Sequence, residues 1–217
     1  MPKRSAEHME MRKQEIMDAC EKLYQIRGFR EITLKDIGGE TSFSRTLIYN
    51  YFHTKEEIFL AIFEREYKRW TASLEKILQL DAQLERRILA KKIAESVEKR
   101  QLLLKLLSMN LYDMEANSRP ERLVEFKVEF GGSMRALESI LRKFCPEMTR
   151  AKRQKFIYAF FPFMFGLYPY AVVTEKQKQA MKDAGIDYRY QSIYHLTLSC
   201  LEKLFGIEYK TEGGKMN

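Results

Sequence analysis

The side chains best suited to chemistry lie in one short stretch, Thr33 to Lys55, which reads TLKDIGGETSFSRTLIYNYFHTK. Its second half, residues 41–55, contains Arg45 and Lys55 but no acidic residue. Arginine can bind the O6/N7 edge of guanine, asparagine can pair with adenine, and tyrosine and lysine suit phosphate oxygens. The major groove of DNA accepts a short helix with polar and aromatic side chains outside and no negative charge. The stretch therefore predicts a DNA-binding surface.

Two short helices joined by a tight turn would position these side chains. Thr33 and Asp36 match a capping box for the first helix, and Ser44 is placed to cap the second. At 100° per residue, Ile48 and Phe52 point together toward the preceding helices, while Arg45 lies near the boundary at the N-terminal end. The opposite side of this helix carries the candidate contacts, namely Thr46, Tyr49, Asn50 and His53.

The rest of the chain shows helical periodicity and no convincing strand pattern. A first helix has an apolar stripe and ends near Gly28, and Thr54 and Glu57 match a capping box for a long fourth helix. Further helices are predicted at roughly 82–97, 99–114, 119–145, 149–173, 175–183 and 188–206. The sequence thus predicts an all-α protein.

From Arg12 to Phe63 the chain resembles the N-terminal domain of the TetR family of bacterial transcriptional regulators. The matching residues are Ala19…Leu23, Gly28-Phe29, Thr33 with Asp36-Ile37, Phe43-Ser44, Tyr49-Asn50-Tyr51-Phe52, Lys55-Glu56 and Ile58. The remainder is similar to the family in size and helical layout. The resemblance implies a helix-turn-helix DNA-binding domain at 1–53 and a helical bundle for ligand binding and dimerisation at 54–217.

The resemblance also implies a function. It implies a homodimer that binds a palindromic double-stranded operator, usually as a repressor, and a small-molecule effector bound in the C-terminal domain. The dimer would form through the last two long helices, where Ile193, Leu196, Leu201 and Leu204 give the final helix an apolar surface. The residues expected to contact DNA are Thr33, Lys35, Ser44, Arg45, Thr46, Tyr49, Asn50, Tyr51 and Lys55.

Several of these positions have a second interpretation, and three neighbouring residues, Gly38, Ser42 and Leu47, depart from the family pattern. Tyr49 and Tyr51 could instead pack against the fourth helix, and Arg45 could be a solvated surface charge. Ser42 stands at the usual turn glycine, which predicts a steric cost. Gly38 replaces the usual alanine and is followed by another glycine, which weakens that helix by about 1 kcal/mol per glycine.

Charge and cysteine content exclude other classes more than they identify a partner. Of the net charge of +8, residues 1–70 contribute only +1 (13 Lys and Arg against 12 Asp and Glu). The three cysteines are widely spaced, with no CxxC or Cys/His cluster, so we expect small buried apolar side chains and no metal or other cofactor. The three histidines suggest no catalytic triad, and phosphate-loop and HExxH motifs are absent from the sequence, so an enzyme is not expected.

An aromatic run raises the question of a membrane or a ligand. Phe156 to Val173 is 18 residues without a charge, but Pro162, Gly166 and Pro169 favour a buried or interface helix over a membrane span. The N-terminus lacks the apolar core of a signal peptide, so a cytoplasmic location is expected. Aromatic density here could line an effector cavity, although core packing explains most of it, and the candidate walls are Met109, Tyr112, Phe160, Met164 and Tyr168.

The sequence therefore predicts a ligand-responsive transcriptional regulator. The principal alternative is a helical ligand-binding carrier or adaptor that does not bind specific DNA. Acidic or bulky apolar substitutions in the recognition helix would favour the alternative, and Leu47 is the only hint of one.

Overall fold

The computed structural model describes residues 2–80, 84–109 and 111–207, without the side chains of residues 2–6 and of Arg45. Within these ranges every regular element is a helix, which confirms the predicted all-α class. The helices are α1 (Pro2–Ile26), α2 (Leu34–Gly39), α3 (Arg45–Ile48), α4 (Lys55–Leu78), α5 (Arg86–Glu98), α6 (Gln101–Leu107), α7 (Leu111–Ala116), α8 (Pro120–Phe144), α9 (Arg150–Ala171), α10 (Glu175–Asp183) and α11 (Ile193–Phe205), with a 3-10 turn at Phe29–Glu31.

By its internal contacts the chain divides into two compact units, while the functional division at 1–53 and 54–217 stays a prediction. The first unit comprises Met1–Tyr67 and Asn110–Phe130, and the second comprises Lys68–Met109 and Gly131–Asn217. The segment Asn110–Phe130 belongs to the first unit because side chains of α4 pack on it. The Phe63 and Phe126 rings are 5.4 Å apart.

The core of the first unit forms where α1, α2, α3 and α4 bring their apolar faces together. Ile48 and Phe52 are fully buried, as their helical spacing predicts. Phe59 of α4 lies edge-on to Tyr24 of α1 at 5.1 Å and to Phe29 at 4.9 Å between ring centroids. Helices α2 and α3 are too short to be stable alone, and each is held by a fully buried side chain, Ile37 in α2 and Ile48 in α3.

The core of the second unit surrounds Trp70, the only tryptophan. Its indole Nε1 donates to Ser96 Oγ at 3.1 Å, and its ring lies 5.7 Å from that of Phe161. Helix α11 packs against α5 and α9. Ile193 and Leu201, predicted for a dimer surface, are buried inside this unit, because they lie on the face of α11 that meets those helices.

Two predicted helices have different bounds. The expected helix at 99–114 is two helices, α6 and α7. The Ser108 hydroxyl donates to the carbonyl of Lys105 at 2.7 Å, which offers the backbone an alternative to continuing the helix. The last helix begins at Ile193 rather than 188, because Ser192 caps it by accepting a hydrogen bond from the His195 amide at 3.2 Å.

Helix α9 runs through both Pro162 and Pro169. Among the described residues, no single helix has the length and apolarity to cross a membrane. Only α9 and α10 taken together pass that test, by length and composition alone, and they are bent by 84° at their junction.

Candidate nucleic-acid interface

Helix α2 begins at the predicted capping box. The Thr33 hydroxyl oxygen accepts from the Asp36 amide at 3.2 Å, and an Asp36 carboxylate oxygen accepts from the Thr33 amide at 2.9 Å. Hydrogen bonds from the Thr33 hydroxyl and amide lower the pKa of Asp36, with a smaller contribution from Arg27. The box therefore fixes the start of α2 and leaves the Lys35 side chain exposed.

The turn between α2 and α3 forms without the strain expected at Ser42. Among the described residues, no non-glycine residue has a positive φ, so Ser42 does not adopt the left-handed backbone that favours glycine. Its amide instead donates to Glu15 Oε1 of α1 at 2.5 Å. This backbone hydrogen bond is the main reason why the pKa of Glu15 is lowered. A carboxylate from α1 thus holds the turn, and the predicted steric cost is wrong.

The recognition segment, residues 45–52, is a short helix continued by a turn. Helix α3 covers only Arg45–Ile48, and the chain continues with hydrogen bonds from the Asn50 amide to Leu47 O at 3.2 Å and from the Phe52 amide to Ile48 O at 2.9 Å. Ser44 has the extended backbone of an N-cap (φ −66°, ψ 149°), but its side chain makes no capping hydrogen bond. The predicted side-chain cap is therefore wrong, although the helix begins where predicted.

The exposed side chains of this segment form one row, and we use the name recognition row for Thr46, Tyr49 and Asn50. All three are exposed, while Ile48 and Phe52 are fully buried. Thr33 and Ser44 are also exposed, and the Arg45 side chain lies outside the described residues. The row carries hydroxyl and amide groups that can donate to or accept from base edges and phosphates. DNA contact by these residues stays a prediction.

Lys55 is engaged inside the unit rather than in this row. Its ammonium donates to Phe29 O at 2.9 Å and to Ile32 O at 3.0 Å, and lies 4.4 Å from the centre of the Phe29 ring. These contacts use two of its three N–H donors and leave the residue only partly exposed. The structure thus places Lys55 as a link between α4 and the 3-10 turn, and its contact with a phosphate stays a prediction.

Glu57 is a fully buried carboxylate at the start of α4. Its amide donates to Thr54 Oγ1 at 3.2 Å, as the predicted capping box requires. The second hydrogen bond of a capping box would run from the Thr54 amide to the Glu57 carboxylate. Here the carboxylate accepts from the amide of His53 instead, at 2.9 Å. The chain direction at His53 aims this neighbouring amide at the carboxylate.

Arg119, which precedes α8, completes this buried group. Its Nε donates to Glu57 Oε1 at 2.6 Å, its Nη2 to Oε2 at 2.8 Å and its own amide to Oε1 at 3.1 Å. Burial raises the pKa of Glu57, but the hydrogen bonds from Arg119 and from the His53 amide outweigh burial and lower it to about 2. Sequence reasoning missed Arg119, because nothing local to residue 57 indicates a partner 62 residues away.

The predicted effector-cavity walls are divided between the two units. Tyr112 belongs to the first unit and is 82% exposed. In the second unit, Phe160 and Met164 are buried core residues, Met109 is partly exposed, and burial raises the pKa of the half-buried Tyr168. None of these five residues lines the apolar cavity at the end of α9, and effector contact by them stays a prediction.

The second unit instead has an apolar cavity of about 440 Å³ formed by the end of α9, by α10 and by the chain before α11. It is lined by Pro169, Tyr170, Val173, Gln177, Ala180, Met181, Tyr188 and Tyr190. Its size is typical of small-molecule pockets, which span about 300–1,000 Å³. The end of the aromatic run, at Tyr170, was the sequence signal for it.

Comparison with known families decides the class of this protein. The family described as "Bacterial regulatory proteins, tetR family" matches residues 16–62, and the "Tetracyclin repressor-like, C-terminal domain" matches residues 64–189. The chain belongs to the TetR family. It is therefore a transcriptional regulator with a helix-turn-helix DNA-binding domain, and its family consists of DNA-binding proteins rather than enzymes.

Individual transcriptional regulators are similar to this chain in sequence or in fold. The chain is 36% identical over 75 residues to YfiR of Bacillus subtilis (strain 168), an uncharacterized HTH-type transcriptional regulator; the match covers 35% of this chain and 37% of YfiR. The fold is similar to that of the fatty acid degradation regulator FadR from Bacillus halodurans, with a TM-score of 0.60, 15% identity, and 90% and 95% of the two chains covered. Thermus thermophilus FadR, solved with lauroyl-CoA, gives a TM-score of 0.55 at 18% identity, with 93% and 100% covered.

We predict that Arg119→Met lowers the free energy of unfolding by about 3 kcal/mol, because it leaves the buried Glu57 carboxylate without its cation. Since the pKa of Glu57 is lowered from 4.5 to about 2, the stability it contributes is present above pH 4.5 and is lost as pH falls toward 2. The gap between wild type and variant should therefore narrow over that range in urea unfolding followed by circular dichroism. A gap that stays constant between pH 5.5 and 2.5 would contradict this origin. As a control, Glu57→Gln in the Arg119→Met background should recover part of the loss at neutral pH.

Proposed function

We propose that this TetR-family protein represses transcription by binding a palindromic operator as a homodimer, and that a small molecule bound in its second unit releases it. The observation that carries the DNA part of the proposal is the recognition row. Thr46, Tyr49 and Asn50 are exposed on one side of a segment whose other side is anchored by buried Ile48 and Phe52. Asparagine is suited to read adenine, while threonine and tyrosine suit phosphate oxygens.

The outward face of α9 supports a dimer. From Phe156 onward its inward residues, such as Phe160 and Met164, are buried, yet the opposite face of this part of the helix is also free of charge. The exposed residues there are Tyr158, Ala159, Pro162, Gly166, Pro169 and Tyr170. A helix that is apolar on all sides is normally covered. A second copy of the chain would cover this face by a two-fold axis, and a two-fold protein matches a palindromic operator.

The apolar cavity of the second unit supports an apolar effector. Three tyrosines and Met181 offer it aromatic and thioether surface, and their hydroxyls offer a few polar anchors. The Thermus thermophilus FadR structure contains lauroyl-CoA, which favours testing acyl compounds first. We therefore propose a ligand with an acyl chain or a similar apolar body.

The DNA-binding role predicts that Asn50→Ala weakens operator binding by about 1–3 kcal/mol, the usual cost of losing a bidentate base contact. Fluorescence anisotropy with DNA from the upstream region of the gene, over a salt series and against scrambled DNA, would measure it. Tyr49→Ala and Arg45→Ala should also weaken binding. Gln179→Ala, which removes another exposed amide from α10, is the control. Weak wild-type binding that is equal for scrambled DNA would support the carrier or adaptor alternative.

The dimer predicts that Ala159→Glu, on the exposed face of α9, converts the protein to a monomer. A carboxylate forced into an apolar interface would be desolvated without a partner. Light scattering after size exclusion should give twice the chain mass of 25.8 kDa for wild type and the single mass for the variant. Ala72→Glu makes the same change at an exposed site of α4 and should stay dimeric. A wild-type protein of monomeric mass at micromolar concentration would refute the proposal.

The effector proposal predicts that Ala180→Trp abolishes ligand binding by filling the cavity. Calorimetric titration with dodecanoate and with lauroyl-CoA would measure this. Ala184→Trp places the same side chain on an exposed residue outside the lining and should bind as wild type does. Equal binding by both variants would show that the ligand binds outside this cavity. A wild type that binds neither compound would exclude acyl compounds as effectors.

A further inference from the structure

The end of the recognition segment is held by two arginines from a distant part of the chain. Arg119 Nη2 donates to the carbonyl of Tyr51 at 3.3 Å, and Arg122 Nη2 donates to the same carbonyl at 3.0 Å. Both arginines belong to the first unit, in the segment Asn110–Phe130 that lies far from residue 51 in sequence. One backbone carbonyl therefore accepts hydrogen bonds from two cations.

This carbonyl needs partners from outside its own helix. The last carbonyls of a helical segment have no intrahelical donor, and α3 and its following turn are too short to supply one. Hydrogen bonds from charged donors are stronger than those from neutral ones. The arginines therefore fix a part of the backbone that the segment cannot fix by itself.

The arginines are themselves held in place. Arg119 is fixed by its hydrogen bonds to the buried carboxylate of Glu57. Arg122 Nη1 donates to Glu125 Oε2 at 2.6 Å, and its guanidinium lies 5.2 Å from the centre of the Phe52 ring. The Arg122 side chain is only 15% exposed, so it is a packed part of the unit rather than a mobile surface charge.

A third link joins the same two parts of the chain. The hydroxyl of Thr54, just beyond the recognition segment, donates to the carbonyl of Asn117 at 2.9 Å. Asn50 and Tyr49 lie one and two residues before Tyr51, so a shift of the backbone at Tyr51 is transmitted to the recognition row. The row is anchored on one side by buried apolar residues and at its end by these polar links.

We propose that Arg119 and Arg122 are positioning residues for DNA recognition. They touch no base in this role; they hold the Tyr51 carbonyl and so set the orientation of Tyr49 and Asn50. The consequence for affinity rests on the proposed operator-binding function, whereas the local ordering of the segment does not. Residues 12–63 are the part of the chain that resembles the family. The resemblance could not indicate either arginine, since both lie outside that region.

Arg122→Met is the sharpest test, because Glu57 keeps its partner Arg119 in this variant and the fold should survive. We expect operator affinity to fall about tenfold, as for loss of a charged hydrogen bond, with the binding to scrambled DNA unchanged. Amide hydrogen exchange in residues 49–53 should accelerate about tenfold, with no change in α1. Arg122→Lys keeps a cationic donor and should restore much of both.

Arg86→Met is the matched control. Arg86 also donates to a backbone carbonyl, that of Phe205 at 3.1 Å, and pairs with a carboxylate, that of Glu147, but it lies in the second unit. The Arg86→Met variant should have the operator affinity of wild type and the same rate of amide hydrogen exchange in residues 49–53. A loss in this control equal to that of Arg122→Met would overturn a specific positioning role.

Two further outcomes would overturn the proposal, and they are separate from failure of the proposed function. Unchanged exchange in residues 49–53 of Arg122→Met would show that the arginine does not order the segment, whether or not an operator is known. Equal weakening on operator and scrambled DNA would indicate a direct phosphate contact instead. A wild type without selective DNA binding would refute the operator function, while the exchange measurement would still decide the ordering role.

Discussion

The first unit depends on the hydrogen bonds and the ion pair that the buried carboxylate of Glu57 makes. An ionised carboxylate without water is costly unless every lone pair has a donor, and here the donors come from His53 and Arg119. One donor lies just after the recognition segment and the other at the start of α8. The carboxylate therefore joins two segments that are distant in sequence beside the recognition segment, and it fixes the arginine that reaches the Tyr51 carbonyl.

This arrangement explains how so short a recognition helix can be ordered. Four residues of α3 form too little helix to be stable in isolation. Its position comes from outside: buried Ile48 and Phe52 anchor one side, Glu15 holds the preceding turn through Ser42, and the arginines hold the end. The exposed side of the segment carries hydroxyl and amide groups, to which the proposed function assigns the contacts with DNA.

In the second unit the demands on α9 are of another kind. One face of the helix completes the core around Trp70, while from Phe156 onward its opposite face is uncharged and exposed. Beyond its last turn, α10 and the chain near Tyr188 enclose an apolar cavity. The aromatic residues of a single run are thereby shared among core, surface and cavity, which is why their density in the sequence did not identify the cavity walls.

The sequence alone determined the features that depend on neighbouring residues. Helical periodicity gave the all-α class, the Thr33 and Asp36 capping box placed the start of α2, and spacing predicted that Ile48 and Phe52 are buried. Such features follow from hydrogen bonds and side-chain directions within one or two helical turns, so local sequence encodes them. Only the tertiary structure decided the partners of Lys55 and Glu57, the division into units and the location of the cavity. Each of these depends on which distant segments meet, and a charged side chain does not indicate from its own neighbours whether it will face solvent, DNA or a buried carbonyl.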